Sequence, residues 1–159
     1  MNLFKITKFL RSVGKSNIAT INNTGSLLLT LCSTYDSYFI KTPVHTVTLP
    51  GKEGDFTISY NHSPTIIQLS SGPIIIRRNL SENPQSFFIS DGFLLYKRSN
   101  ENFIAEVIGI EIFPLEYFDK SCVNTLIKDI EKQSRSTPWE LTKFHLGLQL
   151  CRRLLNCLV

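Results

Sequence analysis

From residue 26 to residue 112 the chain is cut into short apolar, β-branched or aromatic runs, with no helical period between them. The runs cover 27–32, 38–40, 44–49, 55–59, 65–69, 74–77, 86–90, 93–96 and 104–113. Turn signals separate nearly all of them: Pro50-Gly51, Ser71-Gly72-Pro73, Asn83-Pro84, Asp91-Gly92 and Ser99-Asn100. Glycine and proline supply the dihedral angles that reversals need. Many short strands at close spacing predict an antiparallel β-sandwich or barrel, so the chain is expected to be mainly β. Asp91-Gly92 reads as a strong hairpin turn.

After Pro114 the period changes. Val123, Leu126, Ile127 and Ile130 make a short helical stripe. A break at 134–138 comes next, with Ser136 or Thr137 as helix cap, Pro138 in the first turn and Glu140 near the N-terminal dipole. Leu141, Phe144, Leu148, Cys151, Leu155 and Leu158 then recur at spacings of three and four. These features predict a C-terminal αα-hairpin. Leu141, Phe144, Leu148 and Leu155 are its expected packing residues, and Leu146, Leu150 and Leu154 make a second apolar face.

Charge separates the N-terminus from the rest. The 159 residues carry 17 Lys and Arg against 13 Asp and Glu, a formal charge of +4. Lys5, Lys8, Arg11 and Lys15 are the only charges before Asp36, so the chain beyond residue 22 is neutral overall. A nucleic-acid binder needs a basic patch on its folded body, and no nucleic-acid partner is expected here. Wound as a helix, the leader sets Leu3, Ile6, Phe9, Leu10 and Val13 against those four cations. Basic, acid-free and amphipathic is the pattern of a mitochondrial targeting peptide. The expected division is a targeting peptide and linker at 1–22, a β-sandwich at 23–113 and a helical hairpin at 114–159.

Cys32, Cys122, Cys151 and Cys157 form no C-x-x-C pair, and no histidine stands at zinc-finger spacing. Free thiols are expected, with Cys122 and Cys151 at apolar helix positions. No metal and no cofactor are expected. Walker, His-Glu-x-x-His and Gly-x-Ser-x-Gly motifs are absent from the sequence. His45 reads as a strand residue. A hydrolytic site from His62, Asp55 and a serine is a remote alternative, and a free, secreted β-sandwich binding module is the competing class.

Two blocks narrow the reading. Leu49-Pro50-Gly51-Lys52-Glu53-Gly54-Asp55-Phe56 is followed by His62-Ser63-Pro64, and Ser90-Asp91-Gly92-Phe93 comes later. Pro50, Gly51 and Gly54 let a tight turn carry Glu53 and Asp55, with Gly54 expected at positive φ. Pro64 directs the chain into the next strand. In this order the blocks resemble the small β-sandwich subunit of the F-type ATP synthase central stalk, called epsilon in bacteria and chloroplasts and delta in mitochondria. Ser71-Gly72-Pro73-Ile74-Ile75-Ile76 resembles that family's turn into an aliphatic strand. Pro114-Leu115-Glu116-Tyr117-Phe118-Asp119 resembles its linker to the first helix. The leader favours the mitochondrial version.

The resemblance implies a non-catalytic rotor subunit on the matrix side of the mitochondrial inner membrane. It would join the gamma shaft to the c-subunit ring, pack against the small mitochondrial epsilon stalk subunit, and meet the membrane only through the ring. It also implies a c-ring interface made by Glu53, Asp55 and a nearby His62. The bacterial nucleotide pattern Asp-x-x-Arg-Ala is missing from Asp119-Lys120-Ser121-Cys122-Val123, so nucleotide binding is not carried over.

Overall fold

A computed structural model of the protein describes residues 26–158. The leader assigned to 1–22 lies outside the described residues. Ten strands come first: β1 (Leu27–Ser33), β2 (Ser37–Val44), β3 (Thr46–Gly51), β4 (Gly54–Ser59), β5 (Thr65–Leu69), β6 (Gly72–Arg77), β7 (Gln85–Ile89), β8 (Gly92–Ser99), β9 (Asn102–Gly109) and β10 (Ile112–Pro114). A 3-10 turn (Leu115–Tyr117) leads into helices α1 (Lys120–Lys132) and α2 (Pro138–Cys157).

The pairing order is β10-β7-β6-β3-β5-β8-β9-β1-β2, with β4 on β3. β3 meets β5 at one pair only, Gly51 with Leu69. The sheet therefore curls at that corner into two layers, β10-β7-β6-β3-β4 and β5-β8-β9-β1-β2. All pairings are antiparallel except that of β1 with β9, which is parallel. The antiparallel β-sandwich expected from the sequence is the fold found, with this one parallel pair as the exception. The parallel pair arises because β1 and β9, far apart in the chain, enter the layer from the same end, with Leu27 beside Phe103 and Ser33 beside Gly109.

Period-two alternation builds the core. Leu27, Leu29 and Leu31 of β1, Ile74 and Ile76 of β6, and Phe103, Ala105 and Val107 of β9 all point inward and are buried. Phe87 and Phe88 are adjacent on β7 and point to opposite faces. Phe87 joins the core between the layers, and Phe88 joins a second cluster with Val123, Cys151 and Leu154 of the helices. Two corrections concern local placement. The run 104–113 is broken at 110–111 into β9 and β10, and exposed His45 lies in the bend between β2 and β3 rather than within a strand.

Asp119 caps α1 by accepting the Ser121 N–H at 2.6 Å. That hydrogen bonding, from the Ser121 side chain and backbone, holds the Asp119 carboxyl below its usual range. Thr137 caps α2 in a capping box with Glu140, and Pro138 occupies the first turn. The buried seam of α2 is Leu148, Cys151 and Leu154. Leu155 is half-buried in the same cluster. Phe144 is half-buried and lies 3.7 Å beneath the Arg135 guanidinium. Leu141, expected in the seam, is 44% exposed. The shorter α1 and the sandwich reach the C-terminal half of α2, so its first turns extend past the packing. Cys122 is likewise exposed, not apolar seam, whereas Cys151 is buried. Burial pushes the Cys151 thiol up, as it does that of half-buried Cys157. No described helix is long and apolar enough to cross a membrane.

Candidate functional site

The register gathers reverse turns at one end of the sandwich. Gly51 pairs with Gly54 and Leu69, Leu69 with Gly92, Gly92 with Gly109, and Gly109 with Ser33. The connections 34–36, 52–53, 70–71, 90–91 and 110–111 therefore lie side by side. The first two are hairpins within a layer. The other three cross between layers, because β5 and β6, β7 and β8, and β9 and β10 do not pair with each other. This corrects the hairpin reading of Asp91-Gly92. Asp91 Oδ1 accepts the Gly92 N–H at 2.7 Å, and its carbonyl accepts the Ile110 N–H at 3.0 Å, so this residue pins two neighbouring crossings together.

At the β3–β4 turn Lys52, Glu53 and Asp55 are exposed, while Pro50 and Gly51 are buried beneath. Gly54 sits at φ +139°, in open space. A side chain there is strained by the backbone rather than by crowding. The base of the turn is fixed from the next connection: Ser70 N–H donates to the Pro50 carbonyl at 2.9 Å, and Ser70 Oγ to the Gly51 carbonyl at 3.1 Å. Gly72 passes so close to Pro50 that an added Cβ would lie 2.7 Å from the proline Cβ. A shallow groove beside the turn is lined by Lys52, Glu53, Asp55, Ile66 and Gln68. Helix α2 flanks the same end. Arg153 Nη1 donates to the Ser71 carbonyl at 3.4 Å, and the Asp55 charge adds, after burial, to the upward shift of Cys157.

His62 is not at this end. It lies in the β4–β5 connection, as does Pro64, and both are exposed. The five steps of β4 from Gly54 to Ser59 separate the two regions by about 17 Å at 3.3 Å per residue. One compact interface made by Glu53, Asp55 and His62 is therefore excluded. So is a hydrolytic arrangement of Asp55 with His62. The sequence placed them only seven positions apart, but an extended strand converts that spacing into the full length of the layer.

Sequence reasoning missed the residue that positions His62. Tyr96, 1% exposed, donates its hydroxyl to the Ser59 carbonyl at 3.0 Å and accepts the His62 N–H at 3.1 Å. The His62 ring stands edge-on to the Tyr96 ring at 6.0 Å. Burial raises the Tyr96 pKa above the usual tyrosine value. The only hint in the sequence was a tyrosine at an inward position of a strand, since a buried hydroxyl requires a partner. Among the described residues no group of three His, Cys, Asp or Glu side chains is placed to hold a metal.

Residues 30–108 match the family model for the ATP synthase delta/epsilon chain β-sandwich domain. The chain is 34% identical over 126 residues to ATP synthase subunit delta, mitochondrial, of Kluyveromyces lactis, covering 79% of this chain and 76% of that one. Its fold is similar to that of a chain in the Euglena gracilis mitochondrial ATP synthase, determined as OSCP/F1/c-ring in rotational state 1. There the TM-score is 0.75, at 19% identity over 91% of this chain and 89% of that chain. A chain in the central stalk/c-ring structure of the Tetrahymena thermophila mitochondrial ATP synthase gives a TM-score of 0.59, at 15% identity, covering 86% and 98%. The curled β-sandwich, the helical hairpin and the sequence relationship together establish that the chain belongs to the ATP synthase delta/epsilon family.

Proposed function

We propose that this chain is a non-catalytic rotor subunit of a mitochondrial ATP synthase. It holds the gamma shaft to the c ring on the matrix side of the inner membrane and carries torque between them. The observation that supports this reading best is the end of the sandwich where five connections lie together around the exposed Lys52-Glu53-Gly54-Asp55 turn. A joint of this kind requires stiffness, and cross-tied turns on a packed core supply it.

In this reading the turn end meets the polar loops of the ring. Glu53 and Asp55 set orientation by pairing with basic side chains there, and shape and apolar contact hold the joint. The loop of His62, at the other end and anchored through Tyr96, faces the shaft instead. The small mitochondrial epsilon stalk subunit packs beside the hairpin. Exposed ion pairs contribute only about 0.2–1 kcal/mol each. Reversing both charges (Glu53→Lys with Asp55→Lys) is therefore expected to reduce c-ring retention severalfold during salt washing. Unchanged ring content in the purified complex would remove this contact. Localisation provides a separate check. Deleting residues 1–22 should strand the protein in the cytosol, and continued import would refute the targeting role of that segment. A secreted binding module has no comparable support.

A further inference from the structure

The curled sheet ends on β2 at one edge and on β10 at the other, and no main-chain ladder joins the two. Side chains close the gap instead. Thr34 Oγ1 donates to the Ile110 carbonyl at 2.8 Å, and the Tyr38 hydroxyl donates to the Ile112 carbonyl at 2.6 Å. Both donors belong to the β1–β2 turn and the start of β2. Both acceptors belong to the segment that forms β10.

Local structure explains each half of the Tyr38 contact. Leu31 pairs with Phe39 and Cys32 with Ser37, so Tyr38 is the extra residue of a β-bulge. A bulge re-aims the side chain it carries. The Tyr38 ring lies 5.1 Å from the Phe87 ring, and its hydroxyl reaches β10. On the acceptor side, Ser90 N–H donates to the Glu111 carbonyl, which makes 90 and 111 a hydrogen-bonded pair continuing the β7–β10 register. The next pair in an antiparallel ladder, here Ile112 with Ile89, turns its main-chain groups away from the partner strand. Ile112 is 1% exposed, so its carbonyl needs a partner other than water, and Tyr38 is that partner. Ile110 is 62% exposed, and water can replace Thr34 there.

The segment held in this way, 110–118, is the covalent link between the sandwich and the hairpin. Its ladder on β7 is three residues long and ends at Pro114, which has no N–H to donate. The Phe113 and Phe118 rings then meet at 6.2 Å, and Phe118 leads through the Asp119 cap into α1.

We propose that Tyr38 and Thr34 form a latch across the open seam, with Tyr38 carrying most of the hold. When the latch releases, residues 110–118 open as a unit of their own and loosen the first turn of α1, while the core between the layers stays closed. The attachment of the hairpin is thereby set from the β1–β2 side of the sandwich as well as by the outer cluster around Phe88. The latch is a property of the chain itself and does not depend on which assembly holds it.

The test is amide exchange on the full chain. Tyr38→Phe keeps the ring against Phe87 and removes only the hydroxyl. Exchange at Glu111, Phe113, Phe118 and Val123 should quicken about tenfold, the effect of leaving one buried carbonyl unpaired. Thr34→Val should quicken the same amides by about threefold or less, because its acceptor is open to water. Amides of Leu29, Leu94 and Val107 should keep their wild-type rates in both variants. Unchanged exchange over 111–118 in Tyr38→Phe would overturn the proposal. So would equal quickening at Leu29, Leu94 and Val107, or a Tyr38→Phe chain that fails to fold, since the seam would then belong to the global unfolding unit. A larger effect from Thr34→Val than from Tyr38→Phe would overturn the assignment of the hold to Tyr38.

Discussion

Phe88→Ala is expected to cost about 3–5 kcal/mol and to release the helical hairpin from a sandwich that stays folded. Phe88 is the strand residue of the outer cluster, 4% exposed, and its ring meets Phe118 edge-on at 6.1 Å. Val123, Cys151 and Leu154 close around it from the two helices. The inner face of the same strand is carried by Phe87 and Ile89 in the main core. Truncating Phe88 therefore leaves a cavity under the hairpin while leaving the space between the layers filled. Amides of α1 and α2 should exchange much faster, and the chain should become cleavable near 133–137, with β1, β8 and β9 still protected. Equal loss of protection in strands and helices would show that the two clusters unfold as one unit.

Gly92→Ala should be the most damaging single methyl on the sandwich, at about 3 kcal/mol, the upper part of the range for overpacking. Dihedral freedom is not the cause, since among the described glycines the positive φ belongs to Gly54. Space is. A Cβ at Gly92 would lie 2.4 Å from the Ile108 carbonyl oxygen and 2.9 Å from the Gly109 Cα. Both atoms are backbone, so no rotamer change relieves the clash. Gly92 also sits where β8 pairs with Leu69 of β5 and Gly109 of β9, so any shift is passed to the turn end proposed to face the ring. The melting temperature should fall by roughly 10 °C. Gly147→Ala is the control. Its nearest neighbour is the Ile130 Cδ1 at 3.4 Å, and in a helix interior alanine gains about 1 kcal/mol over glycine. A Gly92→Ala protein that melts with the wild type would contradict the steric argument.

Much of the fold was legible because it rests on local rules. Alternation in Leu27, Leu29 and Leu31, or in Ile74 and Ile76, comes from the pleat alone. The cap of α2 comes from Thr137, Pro138 and Glu140, which need only each other. The candidate site was legible in part. The Glu53 and Asp55 turn is a local hairpin, whereas Tyr96 and His62 are held together across 34 positions. The α2 seam was misread at Leu141 because a helical stripe records which residues share a face and says nothing of how far the opposing surface extends.

From its own order of residues this chain determined nine short runs of strand alternation with the turns between them, a capped pair of helices, and motifs that mark a delta/epsilon relative. Those properties act over a few residues, so they can be read without knowing what else is nearby. Only the tertiary structure decided that Asp91-Gly92 crosses between layers, that Asp55 and His62 stand at opposite ends of a strand, and that the sheet is left open between β2 and β10. Each depends on which distant strand pairs with which, and pairing is set by burying the whole core at once.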